Sequence, residues 1–323
     1  MTELRQYTDL PHGITTIDTG FVRPGFDASY LLVEDGQAAF IEVGTAHSIP
    51  RLLQVLEQKQ ISREQVQYVI VTHVHLDHAG GAGLLLTHLP NARLVVHPRG
   101  ARHLVSPERL IAGSQAVYGD AMMQKLFGTI IPVPRERVIE AEDAYRLDLQ
   151  GRELLFLDTP GHARHHFCVV DEQSQGIFPG DTFGLSYREF DTDRGGMMIP
   201  SSSPVHFDPE NLHASIDRLL TYQPHRMYLT HYGCVTEIPR LAKDLHDSID
   251  QLVALAKQVT TQGTERRHEL TEGMKALWVA RARAHGCELA TETIIELLLP
   301  DITLNVQGLE VWLDKRQPSH KQA

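Results

Sequence analysis

Val71-Thr72-His73-Val74-His75-Leu76-Asp77-His78-Ala79-Gly80-Gly81 puts four side chains that can hold a metal within six positions. The apolar run Tyr68-Val69-Ile70-Val71 leads in and two glycines follow, the pattern of a strand that ends in a loop of ligands. Alternation along an extended chain puts His73 and His75 on one side. Asp77 and His78 come where the chain turns, so they address a second point in space. Imidazoles and carboxylates suit zinc, iron and manganese alike. A water held by such ions loses its proton far more easily, its pKa falling from ~15.7 to about 7 on zinc. The chemistry this stretch points to is therefore hydrolysis by metal-bound hydroxide. The bland alternative is a polar loop with solvent histidines, and three histidines so close together argue against it.

The run Thr72-His73-Val74-His75-Leu76-Asp77-His78-Ala79-Gly80-Gly81 resembles the HxHxDH signature of the metallo-β-lactamase superfamily. The resemblance implies an α+β fold, a four-layer αβ/βα sandwich carrying one or two metal ions. It also implies a later His after a Pro-Gly turn, then an Asp, then a last His. Pro160-Gly161-His162, Gly180-Asp181 and Thr230-His231-Tyr232-Gly233 stand in that order, and the match runs over roughly residues 10–235. Carried over by motif, His73, His75 and His162 would hold one ion. Asp77, His78 and His231 would hold the other, with Asp181 bridging. Two divalent metal ions are implied, zinc first, with iron or manganese as alternatives. Asp77 would also take up a proton during turnover. Tyr232 would donate a hydrogen bond to an oxyanion, or else simply be packed.

The HxHxDHxGG form is most similar to glyoxalase II-like and lactonase-like members, which implies an ester, thioester or lactone as substrate. A mononuclear iron persulfide dioxygenase shares the motif and is the redox alternative. A phosphodiesterase or nuclease of the same superfamily is the third. Flavodiiron proteins carry Glu where His75 stands. Two departures matter. Glu42 occupies a place where the family usually has Asp, and either orients a ligand histidine or caps a turn. Pro160-Gly161-His162-Ala163-Arg164-His165-His166 replaces the family's PGHTPGH, so His166 matches its second His. His165 has no family role, which leaves a surface histidine or a substrate contact.

The elements that must position these residues follow from pattern. Short strands are predicted over 14–17, 28–33 and 38–43, the last two joined by Asp35-Gly36, a hairpin signal. Ile49, Leu52, Leu53 and Leu56 predict a helix over about 48–57. A strand over 67–72 carries the motif, and a helix over 80–89 stops at Pro90. A strand follows at 94–96. Residues 106–133 read as helical pieces whose Met and Phe residues belong to the core or else to a substrate pocket. Strands return at 147–149, 153–157 and 226–229, the last delivering His231. The segment 184–208 is long, and Tyr187, Arg188, Met197, Met198, His206 and Asp208 are its candidates for substrate contact. Asp208-Pro209-Glu210 also reads as a helix start. Beyond Pro239 the period turns helical. The expectation is a catalytic domain over 1–239 and a helical extension over 240–323, with helices through 241–259 and 270–278 and short pieces at 294–299 and 304–312.

The whole chain sets bounds. A net charge of -11 argues against a nucleic-acid surface, so a small-molecule substrate is expected. Cys168, Cys234 and Cys287 lack CxxC spacing and make a disulfide framework unlikely, which favours the cytoplasm. The start Met1-Thr2-Glu3-Leu4-Arg5-Gln6 has no signal-peptide core, and no run is long enough to span a membrane. The helical extension is expected to pack on the sandwich or on a second subunit in a homodimer.

Overall fold

The computed structural model describes residues 6–202 and 206–316. The chain forms two compact units. The first comprises Met1–Thr159, His165–Gly180 and Gln223–Thr236; the second comprises Pro160–Arg164, Asp181–Tyr222 and Glu237–Ala323.

The first unit contains two sheets. Strands β1 (Tyr7–Leu10), β2 (Ile14–Asp18), β3 (Ala28–Glu34), β4 (Gln37–Ile41), β5 (Val66–Ile70), β6 (Arg93–Val96) and β7 (Val138–Glu140) form a seven-stranded sheet in chain order. It is antiparallel from β1 to β4 and parallel from β4 to β7. The β3–β4 hairpin turns at Asp35 and Gly36, both at positive φ (41° and 76°), as a tight hairpin turn requires. Parallel neighbours need a crossover. Helix α1 (Ile49–Gln58) supplies it between β4 and β5. Between β5 and β6 it comes from α2 (Leu76–Ala79) and α3 (Ala82–His88). Helices α4 (Pro98–Val105), α5 (Glu108–Tyr118) and α6 (Asp120–Phe127) lie between β6 and β7.

Strand alternation sorts the two faces of this sheet. Leu31, Phe40, Val69, Leu94 and Val96 face α1 and α3, which bury Leu52, Leu56, Leu85 and Leu86 against them. Tyr30, Leu32, Ala39, Ile41, Ile70 and Val95 face the other way. They meet the second sheet, of order β13-β12-β11-β10-β9-β8. Its strands are β8 (Arg146–Leu149), β9 (Arg152–Asp158), β10 (Phe167–Asp171), β11 (Gly176–Phe178), β12 (Arg226–Leu229) and β13 (Gly233–Val235). Phe156, Phe167, Val169, Phe178 and Tyr228 fill the space between the sheets. Each such side chain contributes ~1.5–3 kcal/mol on burial, so the register that aims β5 is set by packing on both of its faces. Met123 and Phe127 join Leu76 in a smaller buried cluster, the core role expected for that region.

The second unit contains α7 (Pro209–Leu220), α8 (Ile238–Gln258), α9 (Gly263–His285) and α10 (Thr291–Arg316). The helical C-terminal segment is present, in one unit with Pro160–Arg164 and Asp181–Tyr222. Hydrogen bonds explain the grouping. The Met198 N–H donates to Asp244 Oδ2 (2.9 Å), the Ser202 N–H to Asn305 Oδ1 (2.7 Å), and Asn305 Nδ2 to the Pro200 carbonyl (3.1 Å). The two short pieces expected at 294–299 and 304–312 are one helix running through Pro300. Pro removes one ladder hydrogen bond, yet Ile294, Leu298, Ile302, Val306, Leu309 and Trp312 stay on one buried stripe across it. Among the described residues no helix is long and apolar enough to cross a membrane.

Candidate metal centre

The chain leaves β5 at Ile70 and runs through His73 to α2, which begins directly after His75. The strand end thus aims His73 and His75, and the first turn of α2 carries Asp77 and His78. His73 Nε2 lies 2.8 Å from His75 Nδ1. The His73 and His78 ring centres are 4.1 Å apart. His73 and His78 are buried, whereas His75 and Asp77 are half-buried. The Phe167 N–H donates to the Thr72 carbonyl (2.9 Å), which ties the motif strand to β10.

His231 follows β12, and the Ala28 N–H pins the turn by donating to the Thr230 carbonyl (2.8 Å). Asp77, His78 and His231 each offer a ligand atom within 4.8 Å of the others. Asp77 Oδ2 is 3.8 Å from His78 Nε2 and 3.7 Å from His231 Nε2. The far nitrogens are held from behind. His231 Nδ1 sits 3.1 Å from the Phe26 carbonyl, and His78 Nδ1 sits 3.3 Å from Glu42 Oε2. An Nδ1–H donated to oxygen leaves Nε2 as the basic atom, the tautomer a metal ion requires. Glu42 Oε2 thus stands at ion-pair distance behind His78, and its other oxygen accepts the Thr72 N–H at 3.1 Å.

The second unit carries the other two candidates. His162 Nε2 lies 3.5 Å from Asp181 Oδ2, and His162 Nδ1 lies 3.2 Å from the Ser201 carbonyl. The arrangement is the same: one ring nitrogen at a backbone oxygen, the other facing a carboxylate. Gly161, at φ 134°, allows the turn before His162, because a Cβ there would fall 2.4 Å from the Leu212 backbone.

Other expected residues fall as follows. His166 Nδ1 is 3.0 Å from Thr159 Oγ1 and its ring stacks 4.9 Å from His73, a structural role. Gly180 is needed there, since a Cβ would come within 2.6 Å of His166 Nε2. His165 is not a surface residue; it is 8% exposed, with its ring 5.8 Å from His75 and 6.1 Å from His103. Tyr232 packs against the core between the sheets. Tyr187, Met197 and Met198 are buried in the second unit. Their segment is drawn inward by the hydrogen bonds to α8 and α10. Asp208 caps α7, accepting the Asn211 N–H at 3.1 Å.

Asp27 went unnoticed in the sequence. It is fully buried, its Oδ2 accepts the Thr19 hydroxyl (3.0 Å), and its Oδ1 lies 4.0 Å from His231 Nδ1. Burial pushes its carboxyl well above the usual carboxylate range, against the opposing pull of His78. The available signal was an acid between Phe26 and Ala28, directly before the apolar strand β3.

The family model of the metallo-beta-lactamase superfamily matches residues 22–231. The chain is 26% identical over 229 residues to the metallo-beta-lactamase fold-containing protein ST1585 of Sulfurisphaera tokodaii, covering 69% of this chain and 80% of that protein. The crystal structure of ST1585 superposes with a TM-score of 0.65 at 23% identity, covering 93% of this chain and 99% of the other. The chain is 23% identical over 242 residues to a hydroxyacylglutathione hydrolase of Aeromonas hydrophila, covering 74% and 76%. An atrochrysone carboxyl ACP thioesterase of Aspergillus chevalieri is 26% identical over 171 residues, covering 53% of this chain and 42% of that protein.

Proposed function

The chain belongs to the metallo-β-lactamase superfamily, and from that membership we propose that it is a metal-dependent hydrolase acting on an ester, thioester or lactone. The observation that carries the reading is the treatment of three histidines. His78, His231 and His162 each have Nδ1 beside a carboxylate or a backbone carbonyl and Nε2 beside a carboxylate. Histidines kept for packing have no need of that tautomer. We assign two divalent metal ions, zinc first, to His73, His75, Asp77, His78, His162, Asp181 and His231. The support is motif order and the His/Asp cluster of the first unit.

The bound ions would supply a hydroxide near neutral pH and stabilise the charge that develops on the substrate oxygen. The chain's own residues do the rest. The Phe26 and Ser201 carbonyls hold the His231 and His162 imidazoles in that tautomer, and the Glu42 carboxylate stands behind His78. Asp77, half-buried, is placed to hold the proton released at attack and pass it to the leaving group. The less supported assignment is Tyr232 as an oxyanion donor, because its ring packs on the inter-sheet core. A thioester is the favoured substrate, since two relatives are named for acylglutathione hydrolysis and for an ACP thioesterase. Three free cysteines and the acidic balance support a cytoplasmic enzyme of small molecules.

The test is metal content of protein purified without chelator, with thioester, lactone and phosphodiester substrates side by side. Two ions per chain and hydrolysis lost in Asp77→Ala support the proposal. One iron, oxygen consumption and no hydrolysis would replace it with the persulfide dioxygenase reading. Cleavage of the phosphodiester alone would replace it with the nuclease reading.

A further inference from the structure

Helices α7 and α8 of the second unit each carry a His and an Asp four positions apart: His213 with Asp217, and His246 with Asp250. That spacing puts each pair on one face of its helix. The two pairs meet. His213 Nδ1 lies 2.5 Å from His246 Nδ1. The ring centres are 4.8 Å apart and the ring planes 8° from parallel, so the rings lie end to end, not face to face. Behind them the carboxylates cross over: His213 Nε2 is 3.2 Å from Asp250 Oδ1, and His246 Nε2 is 3.2 Å from Asp217 Oδ1.

An ionised carboxylate accepts hydrogen bonds and cannot donate them. The Asp250 contact therefore puts a proton on His213 Nε2, which leaves the lone pair of the neutral ring on Nδ1. Asp217, at ion-pair distance from His246 Nε2, favours the same arrangement there. Two lone pairs then face each other across 2.5 Å. That contact is repulsive unless a cation lies between them, either a proton or a metal ion. Charge separates the two. The carboxylates bring a charge of about −2, which a divalent ion neutralises and one proton does not. A carboxylate behind an imidazole is also the arrangement that aims a histidine at a transition metal, and here it is built twice.

We propose that His213 and His246 bind a divalent transition-metal ion of the zinc class through Nδ1, with Asp250 and Asp217 orienting the rings and the remaining positions open to water. The ion is additional to those assigned to the candidate metal centre, and the proposal does not depend on the hydrolase reading. Imidazole nitrogens suit zinc, copper and nickel alike. Zinc holds nitrogen at ~2.0–2.1 Å, so two such ligands stand roughly 3 Å apart around it. The two side chains are 27% and 23% exposed, which gives the rings room to part by that much and gives an ion access. The bound ion staples α7 to α8. Helix α7 in turn supports the turn before His162: the Ser215 hydroxyl donates to the Pro160 carbonyl (2.6 Å), and the Asp208 N–H donates to the Gly161 carbonyl (2.8 Å).

The test is equilibrium dialysis of the full chain against buffered free zinc, with bound metal counted by elemental analysis. His213→Ala and His246→Ala should each hold one zinc fewer than the wild type, whatever the occupancy of the metal centre. Far-UV circular dichroism at the wild-type level in both variants separates loss of the ion from loss of the fold. His246→Cys, which keeps a metal donor at the same position, should keep the ion. Asp217→Asn and Asp250→Asn should reach the wild-type count but need about tenfold or more free zinc to do so. Equal zinc counts in the wild type and both alanine variants overturn the proposal and leave a shared proton as the cation between the rings. Loss of the ion in His246→Cys as complete as in His246→Ala also overturns it, because a site defined by metal donors tolerates that exchange. Wild-type zinc affinity in both asparagine variants overturns the orienting role of the carboxylates.

Discussion

Glu42 Oε2 stands 3.3 Å from His78 Nδ1, and both side chains are buried. The other Glu42 oxygen accepts the Thr72 N–H, so a single carboxylate stands against the His78 ring and holds the end of the strand that leads to the motif. Glu42→Gln keeps an acceptor for Thr72 but turns an NH2 toward Nδ1. That forces the proton onto Nε2, where the metal should be. Metal affinity should fall by about 10–100-fold, while Glu42→Asp, which keeps the charge, should lose much less. Competition with a coloured chelator measures both, and equal losses would argue against the tautomer account.

Asp77 is the half-buried carboxylate that lies within 4 Å of both His78 Nε2 and His231 Nε2. Asp77→Ala should remove metal from one site and lower kcat by at least ~100-fold. Asp77→Asn separates the roles: it keeps an oxygen ligand and loses the proton acceptor. A variant that retains metal but has kcat reduced by a similar factor would assign Asp77 its proton-handling role. Full activity in Asp77→Asn would take that role away.

Much of this was legible because it is local. Strand alternation into His73 and His75, and a turn that carries Asp77 and His78, follow from periods of two and of 3.6 residues. Strands β1 and β7, which bury no residue, and β13, three residues long, went unnoticed. What was not legible needed tertiary information. The burial of Tyr187, Met197 and Met198 depends on Asp244 and Asn305, which draw that segment against α8 and α10. Pro300 looks like a helix end until the buried stripe is seen on both sides of it. The burial of His165 depends on rings contributed by distant segments, His75 and His103, which no window of sequence contains.

Arg152 and Asp171 form a fully buried ion pair between β9 and β10. Arg152 Nε donates to Asp171 Oδ1 at 3.0 Å, and Nη1 donates to the His12 carbonyl at 2.7 Å. Removing one partner leaves an uncompensated charge in the interior, at a cost of ~3–5 kcal/mol. Arg152→Met and Asp171→Leu should each lower the unfolding free energy measured by denaturant titration by that amount, and the double apolar variant should recover a large part of it. A double variant as unstable as the sum of the singles would show that shape, rather than charge, holds this junction.

Asp9 on β1 is paired with Lys59 at the end of α1 and accepts the Thr15 hydroxyl at 2.8 Å. The Lys59 hydrogen bond holds its carboxyl below the usual carboxylate range. A depressed pKa contributes stability above the ordinary aspartate value of ~3.9 and loses it as pH falls through the folded value. The pair is largely exposed, so screening keeps it under about 1 kcal/mol. Asp9→Asn should therefore lower the melting temperature by only about 1–2 °C at pH 7, with the difference fading as pH falls below the ordinary aspartate value and shrinking in high salt.

Tyr232 adjoins His231 and packs on the inter-sheet core. Tyr232→Phe keeps that packing and removes only the hydroxyl. If packing is its role, kcat should stay within about threefold, whereas loss of an oxyanion donor costs ~100-fold or more. The two outcomes are far enough apart for steady-state kinetics on one thioester to decide. Tyr232→Ala should lower stability in either case, because it empties part of the core between the sheets. A fall in kcat in the Phe variant at unchanged melting temperature would restore the hydroxyl to the reaction.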